Sequence, residues 1–339
     1  MQRAGEGFVP NARNAYISLI VNDLSNIPTD DIVLPFQIEP SGLRGRLVRL
    51  GAAVDTVLRQ HDYPRAVAST LAEMVAMSAA LAATLKYEGV FTLQVKGDGP
   101  VKLMVTDVTT DGGIRGYAQF DAERVTALGK APVSVPKLFG AGYLAFTVDQ
   151  GQHTERYQGI VELTGSTLAE CVHHYFRQSE QFQAGLKTAA REYVNADGTR
   201  SWRAGALMVQ RLPPEGAQGS AEGRDIERPI DALVEEQEEG WRTALTLAGS
   251  ATSAELVDPA LPAWKLVDRL FLAEGVKIYR PTEVAPRCRC SRERVERVLR
   301  SLPQDDLEHL TVDGKVEVRC EFCNAVQLFD EKQLQALRS

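Results

Sequence analysis

The hydrophobic pattern changes period several times along the chain, and each change predicts an element. Over residues 45–60, Leu47, Leu50, Val54, Val57 and Leu58 fall on one stripe, which predicts an amphipathic helix. Pro64 suits the first turn of a second helix running to about Leu85. That helix is apolar nearly all round, so burial on several sides is expected. From Phe91 to Lys96 apolar and polar residues alternate strictly, and Gly97, Asp98, Gly99 and Pro100 supply a turn. Val101, Leu103 and Val105 alternate again before a second turn at Asp111, Gly112 and Gly113. This pattern predicts an antiparallel meander. Further strands are expected over residues 143–149, 156–163 and 206–212. A helix is expected over 166–182, with Ser166 or Thr167 as N-cap and Glu170 in its first turn. Residues 1–30 read as a flexible extension, because Pro10, Asn11, Asn14, Asn22 and Asp23 break any long periodicity.

Beyond Leu212 the composition shifts. Pro213, Pro214 and the Gly/Ser/Ala-rich stretch 216–223 mark a break. Residues 216–281 then carry twelve acidic and seven basic side chains. Their best helix covers 262–274, where Trp264, Leu266, Val267, Leu270 and Phe271 form the apolar stripe. The expected fold class is α+β. A large core domain with antiparallel sheet and helices spans 31–215, a helical linker region 216–281, a small cysteine module 282–332 and a short tail 333–339.

Bulk properties narrow the function. The chain has 339 residues, 44% hydrophobic and 24% charged, which is globular composition. A net charge of −7 argues against general nucleic-acid binding and against docking on anionic membranes. No apolar run reaches the roughly 18 residues of a membrane span; the nearest, residues 66–85, is interrupted by Ser69, Thr70, Glu73, Ser78 and Thr84. The N-terminal stretch does not read as a secretory signal. Five cysteines without such a signal point to a reducing compartment, so a cytoplasmic location is expected.

Four of the five cysteines fall in the last 52 residues, spaced as Cys288-x-Cys290, twenty-nine residues, and Cys320-x-x-Cys323. Two close pairs flanking such an insert can close around one tetrahedral ion, and four soft thiolates suit zinc. Ser291 is placed to cap a helix over 292–302, with Pro303 beyond its end. Residues 312–316 read as a hairpin turn leading into a strand over 316–319 that delivers Cys320 and Cys323. About fifty residues hold too little core to fold alone, so the metal would hold the module together. A purely structural zinc ribbon is the plainer reading of the spacing. Two details point to a switch instead. Arg287, Arg289, Arg292 and Arg294 surround the C-x-C pair, and a positive field favours thiolate. Each pair is also close enough in sequence to form its own disulfide and expel the ion.

The stretch Cys288-Arg289-Cys290-Ser291-Arg292-Glu293-Arg294 and the stretch Cys320-Glu321-Phe322-Cys323-Asn324 resemble the two halves of the redox domain of the bacterial heat-shock protein 33 family, the 33-kDa chaperonins. The core agrees, at His61-Asp62-Tyr63-Pro64, Gly97-Asp98-Gly99-Pro100 and Glu155-Arg156-Tyr157-Gln158-Gly159, among other segments in order. The resemblance runs from about residue 30 to the end. It implies an ATP-independent holdase rather than an enzyme. One zinc per chain on Cys288, Cys290, Cys320 and Cys323 keeps the reduced form off. Oxidation under stress forms the disulfides Cys288–Cys290 and Cys320–Cys323, releases zinc and unfolds the linker. Surface for unfolded client proteins is then exposed, and the active form dimerises.

Other candidates are weaker. Cys171, beside His173 and His174, reads as a buried inert thiol, since no orienting acid is evident. Gly140-x-Gly142-x-x-Ala145 superficially matches a dinucleotide fingerprint but leads into a strand. Met74 and Met77 sit at core spacing. The alternatives to the holdase are a zinc-ribbon adaptor and a thiol oxidoreductase; the latter would leave the C-x-C pair unexplained.

Overall fold

A computed structural model describes residues 27–39, 41–129, 133–151, 157–178, 183–211, 230–303, 307, 309–312 and 314–337. The chain opens with an antiparallel pair, β1 (Ile32–Ile38) and β2 (Leu43–Leu50), then helices α1 (Ala52–Leu58) and α2 (Arg65–Ala82). The meander β3 (Val90–Gly97), β4 (Val101–Thr109) and β5 (Gly113–Phe120) follows. After it come α3 (Ala122–Ala127), α4 (Val135–Phe139), β6 (Gly142–Asp149), β7 (Tyr157–Glu162), α5 (Leu168–Gln178) and the long hairpin β8 (Gln183–Val194) and β9 (Arg200–Arg211). Helices α6 (Ile230–Ser250), α7 (Ser253–Val257) and α8 (Ala263–Phe271) lead into β10 (Val276–Ile278), β11 (Thr282–Glu283) and β12 (Ala285–Pro286). The C-terminal module holds α9 (Arg292–Ser301), the hairpin β13 (Lys315–Arg319) and β14 (Val326–Asp330), and α10 (Glu331–Ala336).

Two sheets enclose α2. The first runs β10-β1-β2-β9-β8, with β11 also on β1; the second runs β12-β5-β4-β3-β6-β7. All pairings are antiparallel except β12 on β5. The helix packs on β2, β8 and β9 on one side and on β3, β4 and β5 on the other. Its all-round apolar sequence answers that position, with Leu71, Met74, Val75 and Met77 buried. The same helix is long and apolar enough to cross a membrane by length and composition alone; here it is the interior of the core.

The first sheet is covered on both faces. Val33, Val48 and Met208 face α2, while Leu34, Phe36 and Leu47 face α8, whose stripe of Leu266, Val267, Leu270 and Phe271 lies in the same cluster as they and Leu207 do. Arg49, 1% exposed, fixes this cover from within the sheet. Its guanidinium donates to the carbonyls of Glu255 (2.6 Å), Asp258 (2.6 Å) and Leu261 (2.7 Å). Arg203 of β9 donates to the carbonyl of Val257 at 2.9 Å and pairs with Asp30. Gly205 lets the α7 backbone lie directly on β9, since a Cβ there would strike the Leu256 carbonyl.

One expected helix is corrected. Residues 45–50 belong to β2, and only 52–58 are helical. Leu47 and Leu50 fall on a helical stripe by coincidence: a strand buried on both faces loses its simple alternation. Strands β1 and β8 have no counterpart among the expected elements, β5 is the strand that the second turn of the meander leads into, and β9 starts at Arg200 rather than Ala206. The helix at 65–82, the strands β3, β4, β6 and β7, and the α8 stripe match the pattern. The expectations for residues 1–26, for the 216–223 break and for helix residues 179–182 lie outside the described residues.

Candidate metal centre

The four C-terminal cysteines come together from two local devices. Cys288 and Cys290 follow β12, and Arg287 extends that strand's pairing by donating its backbone N–H to the carbonyl of Ile114 at 2.9 Å. Cys320 and Cys323 lie on the turn between β13 and β14. In that turn Asn324 takes a left-handed backbone (φ 57°), its N–H donates to the Cys320 carbonyl, and the Cys320 N–H donates to Ala325. Ser291 caps α9 by accepting from Arg294 N–H, as its position predicts. The module's own core is small: Leu299, Leu307, Val316 and Phe329.

Among the described residues, these cysteines form the one group of His, Cys, Asp or Glu side chains close enough to share an ion, with all sulfurs within 4.8 Å of one another. Cys288 and Cys320 Sγ are 3.6 Å apart, and Cys290 and Cys323 Sγ 3.4 Å. Thiolates around a tetrahedral ion at about 2.3 Å sit about 3.8 Å from each other, so the cage needs little adjustment to hold zinc. All four thiols are free and half-buried. Burial pushes the Cys288 thiol up, but the Cys290 backbone N–H and the three neighbouring thiols outweigh it and bring it down to about 7. Burial and those neighbours push Cys290 well above the usual thiol range, and burial raises Cys323.

The arginines flanking the C-x-C pair are answered by partners. Arg287 pairs with Asp111, Arg289 with Asp107 at 2.7 Å, Arg292 with Glu296 at 3.1 Å, and Arg294 donates to the Arg289 carbonyl. The guanidinium that reaches a thiol comes from the core instead. Arg115 of β5 donates to Cys288 Sγ at 3.9 Å, pairs with Asp107 at 2.6 Å and stacks over the Phe322 ring at 3.8 Å. His61 Nε2 is 2.7 Å from the Glu321 carbonyl, which can only accept, so that nitrogen carries the proton. No local sequence signal marks Arg115 or Asp107, and the segment His61-Asp62-Tyr63-Pro64 gives no sign of the contact His61 makes, because these roles depend on where the distant module docks.

The fifth cysteine lies apart. Cys171 is fully buried and burial raises its thiol to about 11, the inert state expected of it. His173 and His174 are spent on the Ala184 carbonyl and the Thr164 hydroxyl. Residues 142–149 form β6, so the glycine pattern before them opens no helix.

Known proteins resemble this architecture over most of its length. The family described as Hsp33 protein matches residues 31–330. The 33 kDa chaperonin of Caulobacter vibrioides is 37% identical over 304 residues, covering 89% of this chain and 95% of that protein. The 33 kDa chaperonin of Ectopseudomonas mendocina is 35% identical over 310 residues, covering 91% and 95%. The crystal structure of the 33 kDa chaperonin (heat shock protein 33 homolog) of Thermotoga maritima superposes with a TM-score of 0.68 at 22% identity, covering 91% of this chain and 98% of that one.

Proposed function

The chain belongs to the Hsp33 protein family, and we propose on that premise that it is a redox-switched, ATP-independent holdase chaperone that binds unfolded clients rather than turning over a substrate. The observation that carries the reading is the four-thiol cage within 4.8 Å. It is joined to a module whose own apolar core is too small to persist without a metal. In this reading residues 31–215 form the core, 216–281 the linker region and 282–332 the switch, and the protein works in the cytoplasm. Zinc, one per chain, is held by Cys288, Cys290, Cys320 and Cys323 and keeps the module folded.

The switch is chemical. Each disulfide forms when two thiolates give up an electron pair to a peroxide, whose O–O bond breaks and whose oxygens take up protons as water. The pairs are Cys288–Cys290 and Cys320–Cys323. Disulfide sulfur is a poor zinc ligand, so the ion leaves and the module loses what orders it. The linker follows, because β10 and β11 hold to β1 through the same stretch of chain that leads into the cysteines. Release of α8 would bare Leu34, Phe36 and Leu47, an apolar sheet face suited to unfolded chains and to a second copy.

The test is zinc content, disulfide mapping and light-scattering aggregation of a thermally unfolded client, before and after peroxide at heat-shock temperature. The holdase reading expects about one zinc lost per chain, the two local disulfides, and suppression in the oxidised sample alone. Cross-pairing of Cys288 with Cys320 would contradict the proposed disulfides. Retained zinc with no suppression would favour a structural ribbon, and repeated turnover of a disulfide substrate an oxidoreductase.

A further inference from the structure

We propose that Arg115, a residue of the core sheet, is a positioning residue for the metal centre: its guanidinium supports the Cys288 thiolate and ties the loaded module to the core. The inference rests on the reading that the four cysteines hold zinc. Three contacts carry it. Arg115 donates to Cys288 Sγ at 3.9 Å, lies over the Phe322 ring at 3.8 Å from its centroid and is held by Asp107 at 2.6 Å. Phe322 lies between Cys320 and Cys323, so one guanidinium touches both halves of the cage.

Asp107 is the fixed point. It lies on β4 and is 3% exposed. It accepts from Thr92 at 2.6 Å, from Arg115 and, at 2.7 Å, from Arg289, the residue between Cys288 and Cys290. A buried carboxylate with two guanidinium partners fixes their planes, which is how outer partners orient metal ligands. The charge also matches. Four thiolates around a divalent ion leave a net negative cage, and a largely buried cation beside it is favourable. When the thiolates are consumed, Arg115 keeps Asp107 but loses its anionic acceptor at sulfur. Hydrogen bonds to charged acceptors are about twice as strong as neutral ones, so docking weakens when the metal leaves. The neighbouring residue on β5, Ile114, pairs with Pro286 of β12. The same strand therefore holds the segment that joins the linker region to the cysteines.

The test uses the full chain, reduced and zinc-loaded, titrated with a chromophoric zinc chelator. Outer partners of metal ligands typically contribute 10- to 100-fold in affinity. Arg115→Gln should therefore weaken zinc binding roughly 10-fold or more, and Arg115→Lys, which keeps a cation without the planar stack, should recover part of that loss. Asp107→Asn provides a second variant should Arg115→Gln fold poorly; it should also weaken zinc. The cobalt-loaded protein adds a readout that a merely structural role would not move: its sulfur-to-metal absorption band should shift in Arg115→Gln. Zinc affinity within about two-fold of the parent chain in both variants, with only thermal stability lowered, would overturn the inference and leave the holdase reading intact. A parent chain that takes up no zinc would instead overturn the reading of the site itself.

Discussion

Phe271, at the end of α8, stacks on Phe36 of β1 with ring centroids 5.2 Å apart and 26° between the planes. Both rings are shut from solvent, at 0% and 2% exposure. The pair joins the helix expected to move to the sheet face it covers.

Phe271→Ala removes this stack. Phe-to-Ala substitutions in cores cost about 3–5 kcal/mol, and here the loss falls on the cover rather than on the sheet. The variant should lose amide protection across α8 while keeping zinc, and should suppress client aggregation without oxidation. Hydrogen exchange and light scattering check this. Unchanged protection of α8 would show that the stack does not hold the cover.

Arg49→Leu leaves the carbonyls of Glu255, Asp258 and Leu261 without their buried donor. An unpaired buried polar group costs about 1–3 kcal/mol, so the melting temperature should fall by several degrees and residues 255–261 should exchange faster. Arg49→Lys keeps a charge but not the fork that spans three acceptors, so it should recover only part of the loss. Equal behaviour of the two variants would contradict the clamp.

The acid limb of the stability profile should carry a Glu255 component. The Thr252 backbone N–H is the main cause that holds its carboxyl below the usual range, and with the Thr252 hydroxyl and Arg269 it outweighs burial. A folded-state value below the unfolded one contributes stability above the ordinary glutamate range, roughly pH 4–5, and loses it as pH falls through the depressed value. Glu73 and Asp31, both raised by burial, act in the opposite sense. Comparing Glu255→Gln with the parent chain isolates the component: the parent's advantage at pH 6 should shrink toward pH 3. A constant difference in thermal melts across that range would contradict it.

What could be read from the sequence depended on how each element is buried. β3 and α8 each present one clear period to one environment, as Phe91, Leu93 and Val95 do on β3, and α2 is legible for the opposite reason, an apolar run on all sides that fits a helix held between two sheets. β2 does not, because Arg46 and Arg49 are buried beside Leu47 and Val48 in a strand covered on both faces. β10 to β12 are two or three residues long and owe their existence to partners far away in sequence, such as Phe36 for Ile278 and Gly113 for Ala285. The four cysteines were legible because metal-ligand spacing is local. Arg115 and Asp107 were not, since only the pairing of β12 with β5 brings them to the cage.

The most direct measurement of the central claim follows zinc release and hydrogen exchange of residues 263–278 in one sample through peroxide treatment at heat-shock temperature. The account predicts that protection over α8 and β10 is lost in step with the metal, while α2 stays protected. Zinc leaving with α8 and β10 still fully protected would contradict the coupling between the cage and the covered sheet.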